Sequence, residues 1–182
     1  MKTKMVALIM VIMGLALNAA HAQEELANGQ IRAEIAGVGV SEPGFFILSG
    51  GVGASARMWK YFALNGAISY GQRDFPVVGG TFERGITHFS LSVDLYPAQT
   101  YRGFYLGGFV SYSQMSLDVE DGLSPAILLS EPDNYTAMGF QIGFNAKLAD
   151  QVHLFTKLSL GLEFANGSGL YTGVLGVGYT FL

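Results

Sequence analysis

The spacing most suggestive of chemistry is a histidine followed two positions later by a serine, His88 and Ser90. In an extended strand, residues two apart point to the same side, so this imidazole and this hydroxyl would share one face. A serine activated by a histidine is the nucleophile of many hydrolases when a carboxylate orients the histidine. The flanking residues 86–91 match no further part of a hydrolase motif. We therefore predict no catalytic residues and expect that the chain is not an enzyme.

Metal and cofactor sites are also not indicated. His21 lies in the N-terminal apolar stretch, and His88 and His153 fall at opposite ends of the architecture predicted below. The acidic residues between positions 118 and 133 do not have the spacing of a calcium-binding loop. The glycine pairs near positions 37 and 51 are followed by no helix, so they are not phosphate loops. We predict no metal and no cofactor.

The composition indicates one unusual domain. The 182 residues are 50% hydrophobic and only 13% charged, with 25 glycines, no cysteine and a formal net charge of −4. That charged fraction is about half of the usual quarter. The absence of cysteine excludes disulfides and thiol chemistry. A net negative charge without a basic surface argues against a nucleic-acid partner.

The N-terminus has the three parts of a secretory signal peptide. Lys2 and Lys4 precede an apolar run over residues 5–17, and Ala20-His21-Ala22 forms a small-x-small cleavage site. The apolar run is too short for a transmembrane helix, which needs about 20 residues. We predict a signal peptide over residues 1–22 and a mature domain over residues 23–182.

Period-two alternation recurs along the mature chain and predicts strands. It is clearest over residues 136–148, 152–164 and 170–182, and five further runs bring the total to eight. Alternation is less regular over residues 103–117, because Tyr105 and Phe109 fall opposite Phe104 and Leu106. Either a bulge or aromatic rings packed inside the fold explains that run.

The connections alternate in length. Those near residues 59–60, 98–102 and 150–151 are short, whereas residues 73–85 and 119–134 form long polar connections. Short periplasmic turns and longer extracellular loops are typical of transmembrane barrels. We predict an all-β fold, an eight-stranded antiparallel up-and-down transmembrane β-barrel.

One face of the strands is bulky and apolar, and the other carries Gly, Ser, Asn, Gln and charge. A lipocalin-like soluble barrel would place the apolar face inside around a ligand. Small polar residues cannot line such a dry pocket but suit the narrow lumen of eight strands, so the bulky face is expected to meet lipid. Aromatic girdles are expected near the periplasmic ends (Trp59, Tyr61, Tyr96, Tyr101, Tyr179, Phe181) and near the extracellular ends (Tyr70, Tyr112, Tyr135, Tyr171).

The inward face predicts a polar network in the lumen. Its charged members are Arg32, Glu34, Arg57, Asp94, Lys147, Lys157 and Glu163. Isolated buried charges are costly, so these groups are expected to pair. The network either plugs and rigidifies the lumen or lines a path for ions and small solutes.

The mature chain resembles the OmpA/OmpX-like outer-membrane β-barrel domains over essentially its whole length. Gly176, Tyr179 and Phe181 resemble the terminal-strand signal read by the barrel-assembly machinery, although Leu182 departs from the usual aromatic terminus. The resemblance implies a bacterial outer-membrane location, contact with outer-membrane lipid and lipopolysaccharide, and the assembly machinery as a partner during biogenesis.

Within this fold, function is expected in the extracellular loops, as a structural or surface-interaction role. The apolar stretch with Pro125, Ile127, Leu128 and Leu129 is the candidate contact for an extracellular partner. A narrow pore is the first alternative. A lipid A-modifying enzyme is the second, since the lipid A deacylase family has a similar His-x-Ser element. In that family the pair faces lipid, whereas His88 and Ser90 are predicted to face the lumen.

Overall fold

The computed structural model describes residues 29–41, 45–77, 80–97, 101–119, 134–164 and 167–181. These form a closed antiparallel barrel in which eight strands follow one another in sequence order, which confirms the predicted fold class. The strands are β1 (Gly29–Val40), β2 (Phe45–Trp59), β3 (Phe62–Val77), β4 (Gly80–Leu95), β5 (Gly103–Val119), β6 (Asn134–Lys147), β7 (Val152–Glu163) and β8 (Gly169–Phe181). The described residues contain no helix long and apolar enough to cross a membrane. The predicted signal peptide and the candidate loop contact at residues 125–129 lie outside the described residues.

The connections divide the barrel into two ends. The β2–β3, β4–β5 and β6–β7 connections lie at one end, with the start of β1 and the end of β8, and we call it the turn end. The other four connections lie at the opposite end, which we call the loop end. The β6–β7 connection closes through backbone hydrogen bonds, with Leu148 N donating to Val152 O at 2.8 Å.

The predicted long loop over residues 73–85 is wrong, because this stretch is a β-hairpin. β3 continues to Val77, β4 starts at Gly80, and Phe75 lies directly opposite Phe82. Their rings stack with centroids 5.3 Å apart. Such cross-strand aromatic pairs stabilise sheets, so the polar composition of the stretch did not prevent pairing. The pairing of β2 with β3 stops at Tyr70, although β2 begins at Phe45, so residues 71–75 run beside the first residues of β2 outside the regular ladder.

The irregular alternation of β5 is explained by aromatic rings inside the barrel. The register of β5 with β4 and β6 runs without interruption, so the bulge alternative is wrong. Tyr105 and Phe109 are buried, and Gly143 and Gly161 leave the space that their rings fill. A side chain at either glycine would collide with the ring, so each of these large residues of β5 is accommodated by a glycine, Gly143 on the adjacent β6 and Gly161 on β7.

The outer wall is apolar around the barrel. Phe140, Phe104 and Leu160 have exposed fractions of 81%, 76% and 71%. Outward glycines of β1 are covered by rings from the neighbouring strands, since Phe46 lies over Gly37 and Tyr171 over Gly39. Covering a glycine with a neighbour's ring protects the sheet where the strand has no side chain of its own.

Candidate functional site

The middle of the lumen contains a hydrogen-bonded network centred on the Asp94 carboxylate. Asn65 Nδ2 donates to Asp94 Oδ2 at 2.8 Å, and Gln141 Nε2 donates to Asp94 Oδ1. The same Gln141 nitrogen donates to Ser92 Oγ at 2.9 Å. The network therefore joins β3, β4 and β6 across the interior and holds the carboxylate in one position.

Four buried charged groups share this layer. Arg32, Glu34, Asp94 and Lys157 are each less than 10% exposed, and their formal charges cancel. Lys157 interacts electrostatically with the other three, and the Arg32 guanidinium lies 5.0 Å from the centre of the Phe155 ring. Buried charges are tolerated only when they are compensated. The four groups therefore depend on one another.

The loop-side half of the lumen contains a large apolar cluster beside the buried Arg84 and Glu163, whereas the sequence analysis named only polar residues there. Its buried cluster consists of Val38, Val40, Phe45, Ile47, Ile86, Phe109, Tyr135, Ala137 and Leu170. Phe75 and Met115 pack against it, and the Arg84 guanidinium lies 5.1 Å from the centre of the Phe45 ring. This cluster seals the loop end of the polar layer in the way that a soluble core excludes water.

Tyrosines close the turn end. Tyr96 packs against Tyr105 with ring centroids 5.0 Å apart and against Tyr101 at 6.0 Å. Tyr101 has a φ of 62°, an uncommon conformation for a residue other than glycine. Burial raises the pKa of Tyr101 to about 12 and raises that of Tyr96 as well. Both phenols therefore remain neutral over the physiological pH range.

Little space remains between the polar layer and the apolar cluster. The cavity there has a volume of about 10 Å³ and is lined by residues that include Glu34, His88, Gln141 and Lys157. That volume is at the lower limit for one water molecule. Side chains fill this part of the lumen.

The remaining predicted lumen charges lie nearer the ends. Glu163 is buried at the loop end, and Arg57 is half-buried near the turn end. Lys147 was expected in the network but is exposed at the turn-end mouth, where its Nζ lies 3.1 Å from Asp150 Oδ1. Since it is the last residue of β6, its side chain reaches solvent although it follows the inward alternation.

The predicted girdle residues separate into two groups. Exposed or half-exposed on the outer surface are Trp59, Tyr61, Tyr179 and Phe181 near the turn end, and Tyr70, Tyr112 and Tyr171 toward the loop end. Tyr96, Tyr101 and Tyr135 were expected in the girdles but are buried, with exposed fractions of 1–3%. These three rings fill the two ends of the lumen, because they follow the inward alternation or lie in a turn that folds over the mouth.

The histidine of the His88–Ser90 pair contacts a different serine. His88 Nδ1 is 2.8 Å from Ser113 Oγ, and both side chains are buried in the lumen. Its hydrogen-bond partner is therefore a serine of β5 rather than Ser90. Among the described residues, no group of three or more histidine and carboxylate side chains is placed to hold a metal ion.

Sequence reasoning missed the neutral members of the network. Asn65, Gln141 and Ser113 lie on inward positions of the alternation, which was the available signal. Their partners come from other strands, up to 49 residues away in sequence, so no local pattern could pair them.

Similarity to solved structures supports the fold, whereas sequence comparisons found no match. No protein-family model matches the sequence, and no curated protein matches it at a significant level. The structure is similar to Ail of Yersinia pestis, with a TM-score of 0.59 and 13% identity over 86% of this chain and 99% of that one. It is also similar to OprG of Pseudomonas aeruginosa (TM-score 0.55, 11% identity, 86% and 96% covered) and to Neisserial surface protein A (TM-score 0.53, 17% identity, 85% and 97% covered). The chain therefore has the fold of the small eight-stranded outer-membrane β-barrels, the architecture that its OmpA/OmpX-like strand pattern predicted.

Proposed function

We propose that the chain is a bacterial outer-membrane barrel that is anchored by its apolar wall, closed by its side chains and active through its loop end. The observation that carries this proposal is the filled lumen. The polar layer lies between the apolar cluster on the loop side and the tyrosines at the turn end. A barrel filled in this way serves as a rigid platform.

The outer surface supports placement in a bilayer. Apolar side chains with exposed fractions above 50% occur on β1, β2, β5, β6, β7 and β8, and aromatic rings lie near both ends. Such a wall is stable only in contact with hydrocarbon. The longest connection, residues 120–133, follows β5 at the loop end, which favours an extracellular loop end and a periplasmic turn end. Outer-membrane lipid, lipopolysaccharide and, during biogenesis, the barrel-assembly machinery are the partners of this proposal, after export directed by residues 1–22.

The loop end offers an exposed hairpin. On the β3–β4 hairpin, Gln72, Arg73 and Asp74 are exposed. Gln72 Nε2 donates to Glu83 Oε1 at 2.5 Å, which ties the two strands together on their outer side. The ladder between β3 and β4 and the stacked rings of Phe75 and Phe82 hold the hairpin in one conformation. A surface of fixed shape favours recognition of a partner. The apolar residues at 125–129 remain part of the proposed contact.

The charge of the loop end favours a neutral or cationic partner. One structure of Ail contains the heparin analogue sucrose octasulfate, which is a polyanion. In this chain, Arg73 and Arg84 balance Asp74 and Glu83 on the hairpin, whereas the connection that follows β5 is acidic. Its carboxylates are Glu120, Asp121, Glu131 and Asp133. Repulsion by these carboxylates disfavours a sulfated polysaccharide.

Conductance tests the closed-barrel proposal. The mature chain, refolded into a planar bilayer with insertion verified independently, is expected to give no stable channel openings, because side chains fill the lumen. An open porin in the same bilayer serves as the positive control. Reproducible openings would contradict the proposal and favour the narrow-pore alternative. Loss of an acyl chain from lipid A in cells that produce the chain would instead favour the enzyme alternative.

A further inference from the structure

One carboxylate oxygen in the polar layer has no protein donor. Glu34 is buried, and no described residue donates a hydrogen bond to its Oε2 atom. Its partners in the ladders of β1 with β2 and β8 are Gly51 and Gly176, so neither neighbouring strand places a side chain at that level. A buried carboxylate oxygen without a donor is costly. This oxygen therefore indicates a donor other than a side chain.

Lys157 and Glu34 lie on strands that flank β8. β1 and β7 both pair with β8, and the Lys157 ammonium interacts electrostatically with the Glu34 carboxylate. Both side chains line the small cavity between the polar layer and the apolar cluster. An ammonium group can only donate hydrogen bonds, and an ionised carboxylate can only accept them. A molecule in this cavity that accepts from the first and donates to the second would connect them.

The cavity has room for one water molecule. Its volume of about 10 Å³ is about the smallest space that holds a water. A buried water also needs about two to four polar partners, and the cavity wall supplies the hydroxyl groups of Ser90 and Thr172 besides Glu34 and Lys157. The terminal torsion of a glutamate is soft, so a small rotation brings either carboxylate oxygen to the cavity. Size and polarity therefore both fit water.

The charges of the layer disfavour a bound cation. Arg32 and Lys157 already balance Glu34 and Asp94, and all four side chains are less than 10% exposed. A metal cation in the cavity would lie beside the Lys157 ammonium and give the layer a net positive charge, which is costly in a buried site. A neutral molecule that both donates and accepts hydrogen bonds retains the balance.

We propose that the cavity binds one water molecule that accepts a hydrogen bond from Lys157 Nζ and donates one to Glu34 Oε2. The inference goes beyond the proposed function, because it depends on neither the outer-membrane location nor a loop partner. A water-mediated contact is nearly as favourable in enthalpy as a direct one, so Glu34 and Lys157 stabilise each other through it. Phe109 lines the cavity and belongs to the apolar cluster. The lumen is thus hydrated on one side of this ring and dry on the other.

Two alanine-to-valine substitutions provide a matched test. Ala36 lines the cavity and is 3% exposed, so Ala36→Val is expected to fill the space of the water. Ala137 is fully buried in the apolar cluster and is not among the described residues that line the cavity. Ala137→Val therefore adds the same atoms to the lumen at a place where no water is proposed.

The mature chain with labelled valine and isoleucine methyl groups is refolded in phospholipid nanodiscs, and nuclear Overhauser contacts between water and methyl protons are measured by NMR. A long-lived bound water gives cross-peaks of opposite sign in the laboratory-frame and rotating-frame experiments, which separates it from chemical exchange. We expect such cross-peaks at Val174, which lines the cavity, and none at Val38 or Ile47 in the apolar cluster. The Val174 cross-peak is expected to persist in Ala137→Val and to disappear in Ala36→Val.

Several results would overturn the proposal. One is the absence of the Val174 cross-peak in the folded wild type, and another is its persistence in folded Ala36→Val. Equal cross-peaks at Val174 and Val38 would mean that water fills the whole lumen rather than one site.

A crystal structure of the wild-type chain provides an independent test, which decides the matter if Ala36→Val does not fold. It is expected to show a density peak within about 2.6–3.2 Å of both the Glu34 carboxylate and Lys157 Nζ. A direct ion pair between Glu34 and Lys157 without such a peak would contradict the proposal. A peak that rubidium occupies, with an anomalous signal, would show a cation instead of water.

Discussion

The loop-side half of the lumen and its middle are lined by the same eight strands and the same alternation, but they are stabilised in different ways. The loop side packs Val38, Ile47 and Ile86 as an apolar cluster, whereas the middle joins Asp94 to Asn65 and Gln141. Burial of the first group is favourable by itself. Burial of the second is tolerated only because its members neutralise and hydrogen-bond one another.

This difference has consequences for substitution. An apolar cluster adjusts partly to the loss of one side chain and retains its other contacts. A charge-balanced layer loses its balance when one member is removed, and the partner remains buried and unpaired. Loss of a layer charge is therefore expected to be the more destabilising change.

Lys157→Ala gives the largest expected effect. It leaves Glu34 and Asp94 with less positive charge nearby and should lower the free energy of unfolding by about 3–5 kcal/mol. Urea unfolding in lipid vesicles measures this change. Lys147→Ala is the matched control, because that lysine is exposed and pairs with the exposed Asp150, and its urea midpoint should be unchanged. Equal midpoints for the two variants would contradict the assignment of Lys157 to the buried layer.

Ile47→Ala should have the next largest effect. Ile47 is fully buried in the apolar cluster, and its truncation should cost about 2–4 kcal/mol through lost contacts and a cavity. Leu48→Ala is the control, since the adjacent side chain faces outward and is 64% exposed. The same unfolding experiment compares them. A larger loss for Leu48→Ala would mean that inside and outside are reversed.

Tyr101→Phe, at the turn end, gives the smallest expected effect on stability, and this effect appears only at high pH. Because burial raises the pKa of Tyr101 from 10.0 to about 12, the unfolded chain releases this proton first. Stability is thus fully present below pH 10 and falls as pH rises toward 12. Tyr101→Phe should weaken this decline in the urea midpoint, whereas Tyr61→Phe, at an exposed site, should alter it less. An unchanged pH profile for Tyr101→Phe would show that Tyr101 is not buried.

Much of this architecture could be predicted from sequence because a strand has a period of two. Alternation identified the eight strands and the inward positions of Arg32, Asp94 and Lys157. Alternation weakens where both faces are apolar or where glycines occupy the outward positions, as in residues 37–40. The apolar cluster on the loop side of the lumen was missed for this reason, since Val38 and Val40 point inward and each follows an outward glycine that a neighbour's ring covers.

The sequence by itself determined the strand count and, along most strands, which residues share a face, because these are local properties of an extended chain. Only the closed barrel determines which side chains contact one another across the lumen. It placed Tyr96 over the turn end, left Lys147 at the mouth and set Tyr105 against Gly143. These outcomes depend on register, height along the barrel axis and the space left by other strands, and no single strand contains that information.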